Sequence, residues 1–472
     1  MSERERLRAL AAAARPLEPD AGERAALMAA VQAQAERYLQ ALPEAPTYRT
    51  GAMAAPGFPD RPAGIDDALA FVSEQVEQRG IATASGRFMG YIPGGGLFHS
   101  ALGDFLADVS NKYAGFASAA PGAVRLENAC VRWLADVVGY PADAAGALTS
   151  GGSIANLSAI VAARDALDPD GGGAVYVAPT AHHCVDKALK IAGRGHAPRR
   201  MLALDANHRI ALDSLEAALE QDRRDGVRPW LVVASAGTVD TGSVDPLEGI
   251  AELCARHGAW FHVDGAYGGL FMLCAEGRAV LGGIERADTL AVDPHKTLFL
   301  PYGTGAVLAR DGRTLRASFS ATADYLTPFG SHEDVSPADL SPELTRHFRA
   351  LRLWLPIQLA GLDAFRAAQS EKIGLARYMH ARLTELPGWE TAAPPDLSVF
   401  AFRYRPAGGD VDTFNERLTK RLQDEGRVFL SSTRIYGRVH LRAAIGSFRT
   451  HLAHVDEAID ALRHAAQALE AE

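Results

Sequence analysis

Residues 260–297 read WFHVDGAYGGLFMLCAEGRAVLGGIERADTLAVDPHKT. Two short apolar runs stand in this stretch, Trp260–Val263 and Thr289–Val292, and each ends on an aspartate, Asp264 and Asp293. An unbroken apolar run too short for a helix and closed by a polar turn is the mark of a strand buried on both faces, as in a parallel sheet. The same theme repeats outward. Gly146–Thr149, Ala174–Ala178, Met201–Leu204, Trp230–Ala234 and Gly305–Ala309 are further candidate strands. Helical patterns over Ile154–Ala166, Cys184–Ala192, Leu212–Gln221 and Pro246–His257 separate several of them. This alternation predicts an α/β domain with a mostly parallel seven-stranded sheet covered on both faces. Downstream, Arg346–Ser370 reads as one long helix leading into a smaller α+β domain. Its likeliest strands are Val399–Tyr404 and Val439–Ala443, with Leu452–Leu469 as a closing helix. Upstream lie a helical arm, Gly22–Leu42, and a Pro- and Gly-rich linker, Ala54–Gly64.

The chain has 472 residues, 48% of them hydrophobic, which is ample for a large core. A formal net charge of -9 offers no footprint for nucleic acid or an anionic membrane. No apolar run is long enough to span a bilayer. Met1–Arg15 lacks the apolar core of a secretory signal and reads as a solvated amphipathic helix. The four cysteines, Cys130, Cys184, Cys254 and Cys274, form no C-x-x-C pair, which fits a reduced, cytoplasmic protein. His182-His183-Cys184 has no second ligand cluster to complete a metal site, so no metal is expected.

Ligands of an open α/β sheet gather outside the carboxyl ends of its strands. The residues there are Ser150-Gly151-Gly152-Ser153, Thr180-Ala181-His182-His183, Ser235-Ala236-Gly237-Thr238, Asp264-Gly265-Ala266 and Asp293-Pro294-His295-Lys296. Each has an ordinary reading by itself. SGGS alone describes a glycine turn with a serine cap, Asp264 a structural carboxylate, His182 a core histidine and Lys296 a lysine beside a turn. In succession they assemble a small-residue loop and helix N-terminus for a phosphate, an imidazole, a hydroxyl, a carboxylate for a buried cation and an amine. Apolar flanks around Lys296 predict a desolvated amine with a lowered pKa.

TSGGSIANLSAI, AHHCVDKA, HVDGAYGG, DPHK and TRHFRALRLW, in this order and spacing, resemble the group II pyridoxal-phosphate-dependent amino-acid decarboxylases. That family includes the aromatic-L-amino-acid, glutamate and diaminobutyrate enzymes. The resemblance runs from about Phe88 to the C-terminus. It implies the aspartate-aminotransferase-like fold (fold type I) and an intertwined homodimer. The corresponding divisions are an arm over residues 1–97, a large cofactor domain over 98–363 and a small domain over 364–472. It further implies pyridoxal 5'-phosphate (PLP) held as a Schiff base on Lys296 and decarboxylation of an L-amino acid to the amine.

By position, Asp264 matches the carboxylate at the pyridine nitrogen, Ala266 the residue under the ring and His182 the histidine over it. Gly152, Ser153, Asp293 and His295 match phosphate-side positions, and Thr238 lies beside the cofactor's hydroxyl. Tyr325 matches the loop tyrosine that returns a proton to the substrate's α-carbon, where a Phe in related aromatic enzymes favours an aldehyde product. Arg442 matches an arginine that holds a substrate carboxylate in glutamate-type members. Arg349 is read as an interface brace. Tyr91, Pro93 and Phe116 are pocket candidates for an aromatic or bulky side chain, Phe116 reaching in from the partner subunit. The chain departs from the family at Thr297, where Trp is usual, and at the glycine run Gly94–Gly96. Both departures leave the substrate open. An aldehyde synthase, an acidic- or diamino-acid decarboxylase, and transamination or carbon–carbon cleavage on the same fold are the alternatives. A non-catalytic scaffold would have lost Lys296 or Asp264, and neither is lost.

Overall fold

The computed structural model describes residues 1–321 and 334–472, so Tyr325 lies outside the described residues. The chain forms two compact units, Met1–Ser85 and Gly86–Glu472.

In the first unit, Ser2 and Glu5 form a capping box that starts the helix Glu3–Ala13, which buries none of its residues. Asp20 and Glu23 do the same for the helix Ala21–Ala41. Residues 50–64 have no regular structure, in keeping with their proline and glycine content. A two-residue strand β1 (Tyr48–Arg49) pairs antiparallel with β2 (Gly80–Ile81).

The second unit holds both main sheets. Its larger sheet contains β3 (Ala145–Thr149), β4 (Ala174–Val177), β5 (Arg199–Met201), β6 (Pro229–Ser235), β7 (Trp260–Gly265), β8 (Thr289–Val292) and β9 (Gly305–Ala309), in the order β3-β9-β8-β7-β6-β4-β5. Only β9 runs against its neighbours. Every residue of β4, β7 and β8 is buried, which accounts for their continuous apolar character. The smaller sheet contains β10 (Trp389–Thr391), β11 (Val399–Tyr404), β12 (Ser431–Ile435) and β13 (Arg438–Ala444), in the antiparallel order β10-β11-β13-β12. Phe400, Phe402 and Leu441 of this sheet share a core with Met379 of the helix Leu362–Thr384, Leu418 of Val411–Glu425 and Leu462 of Leu452–Glu470. Residues 86–97 belong to this unit, where the Met89 amide donates to the Phe429 carbonyl at 2.9 Å.

Two elements differ from the sequence reading. The third strand is Arg199–Met201 and not Met201–Leu204. It is an edge strand whose register is set by β4, with Val175 opposite Arg199 and Val177 opposite Met201. Leu204 instead forms a short bridge with Ile210. The expected helix over 346–370 is two helices, Ala350–Ala360 and Leu362–Thr384, parted at Gly361 (φ 73°, ψ 154°). Its expected first turn is not helical either, because Arg346 is drawn into the core. There it pairs with Glu127 at 2.6 Å and donates to the Leu148 carbonyl. Within Ala350–Ala360, Pro356 has no N–H for the Arg352 carbonyl, and Ser100 Oγ donates to that carbonyl instead at 2.9 Å. Gly103 makes this approach possible, since a Cβ there would strike the Leu351 carbonyl carbon at 2.9 Å. Among the described residues no helix is long and apolar enough to cross a membrane.

Candidate active site

The carboxyl ends of β3, β6, β7 and β8 open into one cavity of about 530 Å³. Its floor begins at the turn after β3, which Gly151 enters with φ 153°, a backbone region that favours glycine. Gly152 then starts the helix Gly152–Leu167. A Cβ on Gly152 would lie 2.9 Å from Asp293 Oδ2 and 3.0 Å from the Ala266 methyl. The glycine thus lets three strand ends converge. Ser150, Gly152 and Ser153 line the cavity beside the N-terminus of that helix, a setting for an anion.

Asp264 is the last residue but one of β7, with Ala266 just beyond the strand. The Ala266 amide donates to Asp264 Oδ1 at 3.1 Å, and the carboxylate faces the cavity. Among the described residues no cationic side chain makes an ion pair with it.

Lys296 lies on the single helical turn Pro294–Thr297 after β8, with Nζ 2.9 Å from Asp293 Oδ2. Asp293 Oδ1 is buried without a hydrogen-bond partner. The expected fall in the lysine pKa is not what this geometry produces. Burial lowers it, but the charge and hydrogen bond of Asp293, with the charge of Asp264, outweigh burial and hold the ammonium above its ordinary range.

His182 is half-buried on the cavity wall, and burial lowers its pKa. The Cys184 amide donates to its Nδ1 at 3.2 Å, so the neutral ring carries its proton on Nε2. His295 donates from Nδ1 to the Thr304 carbonyl at 2.7 Å, and burial lowers its pKa as well. Thr238 sits in a run of hydroxyls, 2.9 Å from Thr241, which is 2.8 Å from Ser243. Ser243 must donate to the Asn207 carbonyl at 2.8 Å, so each hydrogen points away from the cavity. Thr238 is thereby left as an acceptor on the cavity side.

From the small sheet, Arg442 donates to the carbonyls of Tyr91 at 2.6 Å and Val239 at 2.5 Å, while its Nη2 is buried without a partner. Burial lowers its pKa to about 10. Tyr91 stands exposed at the rim with φ 49°.

The structure therefore gathers Tyr91, Gly152, Ser153 and His182 on one cavity with Thr238, Asp264, Ala266, Asp293, His295, Lys296 and Arg442. Two sequence candidates stand apart from it. Pro93 is buried behind, its carbonyl against Gly446. Phe116 lies beside Tyr113, the rings tilted by 35° with centres 5.9 Å apart, and does not line this chain's cavity. Arg349 forms a paired contact with Glu343 at 2.7 and 2.9 Å. The sequence reading missed Asn156, Tyr302, Asp240 and Thr433, all lining the cavity. Asn156 had a signal, a polar residue on an otherwise small and apolar helix face just after the glycine turn.

These residues fit PLP. The helix N-terminus and small turn suit its phosphate, the unpaired Asp264 carboxylate suits a protonated ring nitrogen, and Lys296 offers an amine to its aldehyde. The comparisons agree. The family described as Pyridoxal-dependent decarboxylase conserved domain matches residues 53–405. An aromatic-L-amino-acid decarboxylase of Bacillus atrophaeus is 36% identical over 363 residues, 75% of this chain and 76% of that one. An L-2,4-diaminobutyrate decarboxylase of Rhizobium meliloti is 32% identical over 360 residues, 74% and 72% of the two chains. The Oryza sativa TDC crystallised with PLP and tryptamine superposes with a TM-score of 0.90 at 25% identity, covering 96% of this chain and 99% of that one. Matched in sequence over most of its length and equipped with a cavity that fits the cofactor, the chain belongs to the pyridoxal-dependent amino-acid decarboxylases.

Proposed function

We propose that the chain decarboxylates an aromatic L-amino acid to its amine in a homodimer, in the cytoplasm. The observation that carries the chemistry is the convergence of Lys296, Asp264 and the Ser150–Ser153 turn on one cavity. PLP bound there supplies an electron sink for the pair left on the α-carbon when carbon dioxide departs. Lys296 would supply the amine that holds the cofactor. Asp264 would hold a proton on its ring nitrogen. His182 and Ala266 would lie against the ring, Thr238 would accept from its hydroxyl, and Gly152, Ser153, Asp293 and His295 would serve the phosphate side. Arg442 is offered to a substrate oxygen through its free Nη2. Tyr325 returns the proton to the α-carbon.

An aromatic substrate is supported by Tyr91, Ile92 and Tyr302 on the cavity wall and by the Bacillus relative. The homodimer is supported by Phe98, Leu102, Phe105, Leu106 and Val109, which expose an apolar stripe along the helix Phe98–Ser110. Phe116, absent from its own chain's cavity, is free to serve a partner's. The cytoplasm is supported by four buried cysteines, all free of disulfides. The arm over 1–97, large domain over 98–363 and small domain over 364–472 belong to the same reading. The larger sheet falls wholly within the second of these spans and the smaller within the third.

The test is carbon dioxide release from a panel of L-amino acids, with the products identified. The expected result is amine from Tyr, Trp, Phe or their hydroxylated forms. Preferred turnover of glutamate or 2,4-diaminobutyrate would overturn the substrate class. In the same assay Tyr325→Phe is expected to lose amine and gain aldehyde, hydrogen peroxide and ammonia, with dioxygen as the oxidant. Amine formation at the wild-type rate would remove Tyr325 from the mechanism.

A further inference from the structure

Behind Asp264 runs a file of buried polar side chains that the mechanism above does not use. Its middle member is Asn156, which is fully buried. Asn156 Nδ2 lies 2.8 Å from the Gly152 carbonyl, which can only accept, and this fixes which end of the amide is which. Asn156 Oδ1 therefore faces His262 Nε2 at 2.7 Å, and that nitrogen must carry a hydrogen. Burial pushes the His262 pKa down to about 4, so the ring is neutral at pH 7 and its Nδ1 is bare. The Thr289 hydroxyl donates to Nδ1 at 3.0 Å and itself accepts the Trp260 indole N–H at 2.9 Å. The Thr289 carbonyl, 3.2 Å from Nδ1, would be served only by an imidazolium.

On the other side, the second Asn156 N–H points to Cys184 Sγ at 3.5 Å. Cys184 Sγ lies 4.0 Å from Asp264 Oδ2, the long limit for a sulfur donor. Burial pushes the thiol pKa up, so the sulfur keeps its hydrogen. Every donor thus points the same way, from Trp260 through Thr289, His262, Asn156 and Cys184 to Asp264. The backbone amide of the same cysteine orients His182.

We propose that Cys184 is a positioning residue for the decarboxylation: its thiol, last donor of the buried file, aims the Asp264 carboxylate, while its amide sets the His182 ring. The Ala266 amide holds Oδ1 and the thiol holds Oδ2, so the carboxylate cannot swing away from the cavity. A thiol is a weak donor. It steers the carboxylate without drawing off the charge that a ring nitrogen needs. The proposal rests on Asp264 as the partner of that nitrogen.

Two measurements test it. The first is the S–H stretching band of cofactor-free protein, assigned to Cys184 by its loss in Cys184→Ser. The band is expected on the hydrogen-bonded side of a free thiol and to move when Asp264→Asn weakens the acceptor. A free-thiol band indifferent to Asp264→Asn would overturn the proposal. The second is PLP affinity by equilibrium dialysis, read beside kcat and KM. Loss of a hydrogen bond to a charged group corresponds to about a tenfold change. Cys184→Ala is expected to lose that much PLP affinity and kcat, with KM for the amino acid unchanged, and Cys184→Ser to recover most of it. Wild-type affinity and kcat in Cys184→Ala, or a serine variant as impaired as the alanine one, would overturn it. If Cys184→Ala does not fold, the band and the serine variant decide. Wild-type protein that bound no PLP would instead overturn the cofactor reading, and the proposal with it, whatever the thiol band.

Discussion

Asp264 lies at the carboxyl end of a strand buried along its whole length, one residue before its last, and one of its oxygens is tied to the Ala266 amide. Asparagine there keeps the shape and the amide contact but loses the charge. A loss of two pKa units at the ring nitrogen corresponds to roughly a hundredfold. Asp264→Asn is therefore expected to bind PLP more weakly yet still fill with it at saturating cofactor, measured by absorbance, and to lose at least that factor in kcat; near-normal turnover would refute the role. Asp264 and Lys296 were legible in the sequence because Asp264 directly follows one apolar run and Lys296 lies in the short turn after another, so chain order placed both near strand ends. His182, four residues beyond the run Ala174–Ala178, needed the family resemblance to be told from a core histidine. Arg442 and Tyr91 came only through the family resemblance, since β13 carries Arg442 to the Tyr91 carbonyl across 351 positions of sequence. Asp240 and Thr433 were not legible, for the same reason. They hydrogen-bond each other at 2.5 Å across 193 positions of sequence, and no local pattern records such a meeting. The direction of the lysine pKa is not legible in its apolar flanks, because the fold sets Asp293 2.9 Å from the amine, where its charge and hydrogen bond, with the charge of Asp264, outweigh burial.

Six of the seven strands in the larger sheet are isolated apolar runs whose limits the sequence marks to within one or two residues: β3, β4, β6, β7, β8 and β9. The edge strand β5 is polar, and its position is decided by pairing with β4, which local sequence cannot express. The parting of the long helix was hidden for another reason. Gly361 sits in a run of helix-forming residues, and its φ of 73° with ψ of 154° belongs to a region that only glycine enters readily. A Cβ at Gly361 would meet nothing within 4 Å, so alanine there costs backbone strain and no clash. Gly361→Ala is expected to lower unfolding stability by about 1–3 kcal/mol, read from the urea midpoint, with kcat unchanged. A more stable variant would mean that the two helices merge into one.

Seven histidines, His182, His208, His262, His295, His380, His440 and His454, have pKa values lowered by burial. For His262 the folded value is about 4 against an ordinary 6.5. Between those values the unfolded chain binds a proton that the folded one refuses. This stabilisation is complete above pH 6.5 and is lost as pH falls toward 4, at about 1.4 kcal/mol per pKa unit. Asp245 acts in the opposite sense, because burial raises its pKa from 3.8 to about 6, so its share declines as pH rises through that window. With the six other histidines on the side of His262, stability is expected to rise from pH 4.5 to 7 in urea titrations. A flat or falling profile would show that these rings are protonated in the fold. The antiparallel strand β9 has a further consequence, for the order in which the molecule is made. It lies between β3 and β8, so Thr149 finds its partner only in Gly305. During synthesis β3 and the glycine turn behind it emerge early and wait, unpaired, while the intervening chain is translated. Lys296 precedes β9, so the amine and the phosphate turn can meet only after β9 has slid into the gap. The active site is thus among the last parts of the larger sheet to be completed on the ribosome, and a chain cut short before Gly305 would carry every strand-end motif and yet no closed sheet beneath them.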